Sequence, residues 1–415
     1  MVIYEDLLNL KEYKSGLGQN ELKALYINSP VSEKLAKALI DKIIEYIKLR
    51  VINNKEKEYE EFNMELLYLI NYQELLLDKV SLLIDDKVIN EEDLINLIKD
   101  FIYRGTSKWE VILGLMLCKD YLEDYEIDHI VNVFSKSGEY IFYLKDCIKN
   151  IENSEEFLFN LCKKTDGTIR VFAIINMNFS KDEEVKYLIN EGYKNKKYTN
   201  LLVNYIVENN IMWKYLKKDD LNFRDIKNIS YIVVEYIKDK DLESLSYIID
   251  LIKLYLPYAI IEGTDIYSIY AVYLLDTVIS HKRLDFIKDR EFLLNIINDK
   301  LKRCEYLFRE AIKKVQGKVK YIIELGEYYK YKFSFKELKP YLKTIKDGYI
   351  IYYYFKKSKF ILEIEDCRRY FIENPEFKEI LEYFNDLGGS YKLSKNEDFI
   401  RKFDLELKKR NSVSL

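Results

Sequence analysis

Proline and glycine are scarce in this chain, 4 and 13 among 415 residues. Both residues end helices and make tight turns, so their scarcity argues against an all-β or disordered chain and for helices with short connectors. Histidine is scarcer, with only His129 and His281. The five cysteines (Cys118, Cys147, Cys162, Cys304, Cys367) are odd in number, scattered and never in a CxxC pair. A disulfide framework and a zinc site are not expected, and the thiols read as small buried hydrophobes. No GxSxG, HExxH or kinase-like set is present. The stretch KSGLGQNE (14–21) has Gly16 and Gly18 but neither the third glycine of a dinucleotide fingerprint nor the Gly-Lys-Ser/Thr ending of a phosphate loop. It reads as a flexible loop between the first two helices. No cofactor or metal is expected.

No signal peptide is expected either. MVIYEDLLNLKEYK places Glu5 and Asp6 where a signal peptide is basic. The most apolar run, LSYIIDLIKLYLPYAIIEG, is broken by Asp250, Lys253 and Pro257. A spanning helix needs about 20 predominantly apolar residues, so this run reads as a buried helix pair. The expectation is a soluble, cytoplasmic protein with no membrane partner.

What is present is helical. The chain is 48% hydrophobic and 33% charged, and its length exceeds the roughly 250–300 residues of one compact core, so it implies several domains or an elongated repeat. From Val31, apolar residues at Leu35, Ala38, Leu39, Ile43, Tyr46 and Ile47 make one stripe. DLINLIKDFIY and EEFLFNLCKK repeat the pattern, and DREFLLNIINDKLKRCEYLFREAIKKVQ (289–316) reads as one long helix. GYIIYYYF has strand propensity, but its neighbours favour helix. Gly388 and Gly389 read as a helix stop, with a final helix and frayed tail beyond. The 38 tyrosines accompany abundant Lys, Ile and Asn, a set with A/T-rich codons that suggests a bacterial source more than an aromatic binding surface.

Acidic residues lead into apolar helices at three places. Aligning Ile127, Val185 and Leu242 gives spacings of 58 and 57 residues, or a helix pair of roughly 29 residues as the unit, and recurrence of this order marks a solenoid. Between them lies TDGTIRVFAIINM, which resembles the inter-helix turn and second helix of a HEAT repeat. Asp166 stands in the turn, Arg170 follows Ile169, Ala173 is the small residue and Met177 the next apolar anchor. RGTSKWEVILGLMLCKD is similar, with Gly114 as the small residue but no Asp/Arg pair. The resemblance covers about 105–256 and lacks the proline common in the family's first helix. It implies an all-α solenoid of stacked antiparallel helix pairs, in which Asp166 and Arg170 brace neighbouring turns. The chain then divides into acidic N-terminal hairpins (1–104), HEAT-like repeats (105–260) and a less regular Lys/Tyr-rich helical region (261–415).

Charge is uneven. Residues 56–100 hold 13 acidic and 4 basic side chains, and residues 313–359 hold 13 basic and 4 acidic. Such a dipole can steer an oppositely charged partner. The basic stretch interleaves lysine with nine tyrosines, a pattern that suits single-stranded nucleic acid, although arginine is almost absent. Its candidate surface is Lys313, Lys314, Lys318, Lys320, Lys336, Lys343, Lys346, Lys356 and Lys357. Acid pairs such as Asp85-Asp86 flank turns and need no catalytic explanation. The expected function is a non-catalytic scaffold that binds a protein, with nucleic acid as the alternative partner.

Overall fold

A computed structural model describes residues 2–27, 30–53, 66–218, 221–239, 248–281 and 287–385. Among the described residues every regular element is helical, and one bridge, between Lys14 and Ser137, is the extended pairing present. No described helix is long and apolar enough to cross a membrane. The chain gathers into two compact units, Met1–Ile211 and Met212–Leu415. The boundary falls inside the 105–260 stretch that the sequence reading treats as one region.

In the first unit, helix Glu91–Arg104 shows how composition sets structure. The Asn90 side chain accepts from the Glu92 N–H at 2.9 Å, and Glu91, Glu92 and Asp93 occupy the first turn while Arg104 ends the last. These placements suit the helix dipole. Leu94, Leu97, Ile98, Phe101 and Ile102 are buried at spacings of three and one, which makes a single apolar stripe. It packs on helix Lys108–Tyr121, buried nearly all round from Val111 to Cys118. The two backbones approach closely at Gly114, where an added Cβ would lie 2.8 Å from Ile102 Cγ1. A second hairpin joins Ser154–Lys164 to Gly167–Asn176 through Thr165 and Asp166. Helix Asp182–Tyr187 follows and loosens into a π turn, Leu188–Gly192. Ile127 and Val185, the two aligned positions within the described residues, are both buried on acidic-started helices; Leu242 lies outside the described residues.

The 14–21 loop is docked, contrary to the flexible loop expected. Lys14 N–H donates to Lys136 O at 2.8 Å and Gly138 N–H donates to Lys14 O at 3.3 Å. Thr168 N–H donates to Ser15 O at 3.0 Å, and the Thr168 hydroxyl donates to Leu17 O. Gly18 (φ +81) and Gly167 (φ +59) make this possible, because a Cβ on either would fall within 2.2 Å of Gly138 O or Ser15 O respectively. The glycines that fail a phosphate-loop motif serve backbone-to-backbone packing.

Other expectations need correction. The helix Glu33–Asn53 buries Ala36, Leu39, Ile40, Ile43, Ile44, Tyr46 and Ile47, while Leu35 and Ala38 are exposed, so Leu39, Ile43, Tyr46 and Ile47 belong to the buried stripe and Leu35 and Ala38 do not. In the second unit, 289–316 is two helices, Arg290–Arg303 and Glu305–Lys313, broken at Cys304, whose N–H is shared by Lys300 O and Leu301 O. Of the apolar run that starts at Leu245, residues Ile248–Ile261 form one helix, which continues through Pro257, and not a helix pair. Proline removes the bond to Lys253 O, but Pro257 and Lys253 are exposed, and burial of Ile252, Tyr255, Leu256 and Ala259 holds the other face. GYIIYYYF lies in helix Ile345–Ser358. Gly388, Gly389 and the tail lie outside the described residues, as do residues 56–65 of the acidic segment.

Candidate functional site

Three helices of the second unit bring charge and tyrosine together. On Phe223–Asp239, Tyr231, Glu235 and Lys238 are spaced by four and three and share a face. Helix Ile266–Ile279 contributes Tyr267 and Tyr270, and Val319–Tyr328 with its N-cap contributes Lys318, Tyr321 and Glu324. Lys238 Nζ donates to Tyr321 Oη at 2.6 Å, and that hydroxyl donates to Glu235 Oε1 at 2.7 Å. Lys318 Nζ donates to the same oxygen at 2.9 Å and to the Tyr231 hydroxyl at 3.4 Å. The Lys238 ammonium sits 3.8 Å above the Tyr321 ring centroid, and Tyr321 stacks on Tyr270 with centroids 4.2 Å apart. The Tyr270 hydroxyl donates to Glu324.

Burial sets the electrostatics. It pushes Lys238 down to about 7; Glu235 opposes that fall, and Lys318 and Lys320 add to it. Burial also pushes Glu235 up, but the ammonium groups of Lys238 and Lys318 and the bonds from Tyr321 and Lys318 outweigh it and hold the carboxyl below its ordinary value. Lys318 stays above the usual lysine value, because Glu235 and Tyr231 outweigh its own desolvation. Tyr321 is raised by burial and by Glu235. One carboxylate thus serves two lysines, and the less exposed of them, Lys238 at 17%, carries the loosely held proton.

Beside this cluster, Ser230 Oγ bonds Tyr255 Oη at 2.6 Å and Ser268 Oγ at 2.9 Å, and Ser268 donates to Asp265 at 2.6 Å. All four side chains are buried, so this network ties the start of helix Ile266–Ile279 to the middles of Phe223–Asp239 and Ile248–Ile261 and faces no solvent. The two sets form a clamp among helices, with one titratable amine. An open groove of about 510 Å³ lies in the first unit, lined by Leu25, Glu33, Tyr72, Glu74, Phe142 and Lys145 among others. It gathers no charge of one sign. No three His, Cys, Asp or Glu side chains form a metal-binding group among the described residues.

The residues singled out from sequence fall in two places. Arg170 Nε donates to Thr165 O and its Nη1 to Lys194 O, both at 2.6 Å. Asn195 Nδ2 donates to Gly167 O at 2.9 Å. Arg170 and Asn195 therefore tie the turn at 165–167 to the next at 193–198. Asp166 Oδ1, by contrast, is buried with no hydrogen-bond partner. Of the nine lysines, Lys313, Lys314, Lys318, Lys336, Lys343, Lys346 and Lys357 are exposed, and Lys320 and Lys356 are half-buried. Lys313 pairs with Glu310 and Lys357 with Glu327, and Lys318 belongs to the cluster. The tyrosines between them face inward: Tyr321, Tyr341, Tyr349, Tyr352 and Tyr354 are buried and the other four half-buried. His129 is exposed beside the Tyr4 hydroxyl.

Glu235 and Lys238 escaped the sequence reading, although the spacing Tyr231, Glu235, Lys238 was a usable signal. Comparison with known protein families, with characterised proteins and with solved structures gives no match to this chain. What the geometry defines is an all-helical protein held by hairpins and polar clamps.

Proposed function

We propose that this chain is a non-catalytic scaffold that binds a protein on a surface of stacked, HEAT-like helical hairpins. One observation carries the reading. Helix Ile361–Glu373 leaves Ile361 73%, Leu362 80% and Ile372 68% exposed on its outer face. Ile361 and Leu362 are adjacent at the helix start, and Ile372 lies on the same side three turns on, beyond the exposed Glu365 and Arg369. Burying one such side chain is worth about 1.5–3 kcal/mol, and exposed apolar side chains with a polar rim are a mark of interaction sites. Glu365, Asp366, Glu373 and Glu376 are exposed around them against Arg369 and Lys378. The partner is therefore an apolar protein segment that carries basic side chains.

The stacking part of the proposal draws on the short connections, 105–107, 165–166 and 359–360, each between consecutive helices in contact. The link from Arg170 and Asn195 to neighbouring turns is what stacked pairs need. Nucleic acid has weaker support, because base stacking requires exposed rings and the tyrosines of 313–359 are turned inward.

The test is co-purification from the native host with the wild-type chain and with Ile361→Asp/Leu362→Asp, after circular dichroism has verified equal helicity. A protein recovered by the first and lost by the second is expected. Recovery of no specific protein, or equal recovery by both, overturns the reading; salt-sensitive capture of oligonucleotides alone would replace it with the nucleic-acid alternative.

A further inference from the structure

Cys118 and Cys147 lie 29 residues apart, on helices Lys108–Tyr121 and Lys145–Asn150, yet their sulfurs are 3.5 Å apart. Both are fully buried. The Cys118 S–H donates to Leu115 O at 3.3 Å, which leaves the Cys147 hydrogen for the sulfur–sulfur contact, since a thiol has one proton to give. The contact with Cys147 and burial hold the Cys118 thiol well above its ordinary value. At rest the pair is two thiols in contact. Cys162, Cys304 and Cys367 are buried at other points of the chain, on Ser154–Lys164, at the helix break and on Ile361–Glu373.

A disulfide needs sulfurs about 2.0 Å apart, so the pair must close by roughly 1.5 Å, a movement on the scale of side-chain adjustment. The six-residue helix at 145–150 is short, and its Lys149 is exposed. Short elements of this kind open locally at less cost than global unfolding.

We propose that Cys118 and Cys147 form an oxidative modification site that low-molecular-weight disulfides convert to an intramolecular disulfide. Local opening lets one cysteine lose its proton, and its thiolate attacks the small disulfide. A protein–small-molecule disulfide forms and one small thiolate leaves. On reclosure the second cysteine, deprotonated, attacks the protein sulfur of that bond and expels the other small thiolate. Two protein thiols lose two protons and two electrons, and the small disulfide is reduced to two thiols. Proximity makes the second step faster than attack on another oxidant molecule.

The full chain is incubated with oxidised glutathione, natively and in urea below the unfolding transition, then denatured, alkylated and mapped by mass spectrometry. Alkylated cysteines are expected to fall from five to three, with one cross-link joining the peptides of Cys118 and Cys147. A Cys147→Ala chain is expected to lose at most one label, as a glutathione adduct on Cys118. Persistent adducts without the cross-link, a bond to Cys162, or five labels retained in urea while residues 145–150 exchange their amides overturn the proposal. So does a Cys147→Ala chain that loses two labels.

Discussion

Lys238→Met tests whether the clamp of the second unit carries an unfavourable buried charge. In the unfolded chain this amine titrates at the ordinary lysine value of 10.5, and in the fold at about 7. The separation is 3.5 pH units (10.5 − 7), which at about 1.36 kcal/mol per unit gives a linkage of about 4–5 kcal/mol. Below pH 7 both states hold the proton and the fold bears the whole cost. Between pH 7 and 10.5 the unfolded chain binds more protons than the fold, so stability rises with pH. Above 10.5 the contribution is gone. Glu235, Lys318, Lys320, Tyr321, Glu324 and the Tyr270 ring surround this amine from the three helices, and methionine leaves Glu235 paired with Lys318 and Tyr321. The substitution also loses the Tyr321 bond and ring contact, a pH-independent term. Urea unfolding of both chains from pH 6 to 10 isolates the titration as a difference. The stability of Lys238→Met minus that of wild type is expected to fall by several kcal/mol across pH 7 to 10. A flat difference, or one that grows with pH, would refute the reasoning.

Further substitutions probe the first unit. Arg170→Ala removes two bonds from a charged donor to the carbonyls of Thr165 and Lys194, and should lower stability by about 2–3 kcal/mol. Asp166→Ala should cost less than about 1 kcal/mol, since its buried Oδ1 has no bond to lose and removal relieves a desolvation cost; urea midpoints of both variants rank them. Gly114→Val drives a Cβ to 2.8 Å from Ile102 Cγ1, and overpacking of about 1–3 kcal/mol should appear as a lower thermal midpoint.

The helices were legible where the cause is local. The 91–104 stripe and its acidic start can be read from the sequence. Helix 345–358 could be read against its tyrosine-rich strand propensity, because its neighbours are helical. Features set by distant partners were hidden. The strap at 14–18 meets Thr168 at a separation of 153 residues, and Tyr321 meets Glu235 at 86. The helix break at Cys304 has no Gly or Pro to mark it. The placing of Tyr321, Tyr328, Tyr329 and Tyr341 depends on helices 266–279 and 305–313, which no local pattern reports. The family resemblance pairs Asp166 with Arg170, yet the observed bracing bonds come from Arg170 and Asn195.

The most direct measurement is a binding isotherm between the purified chain and the protein recovered with it, for wild type and Leu362→Asp at equal helicity. Loss of about 1.5–3 kcal/mol of burial corresponds to a dissociation constant raised roughly 10- to 150-fold, and that rise is the expected result. An unchanged constant would contradict the assignment of the exposed face of helix Ile361–Glu373 as the binding surface.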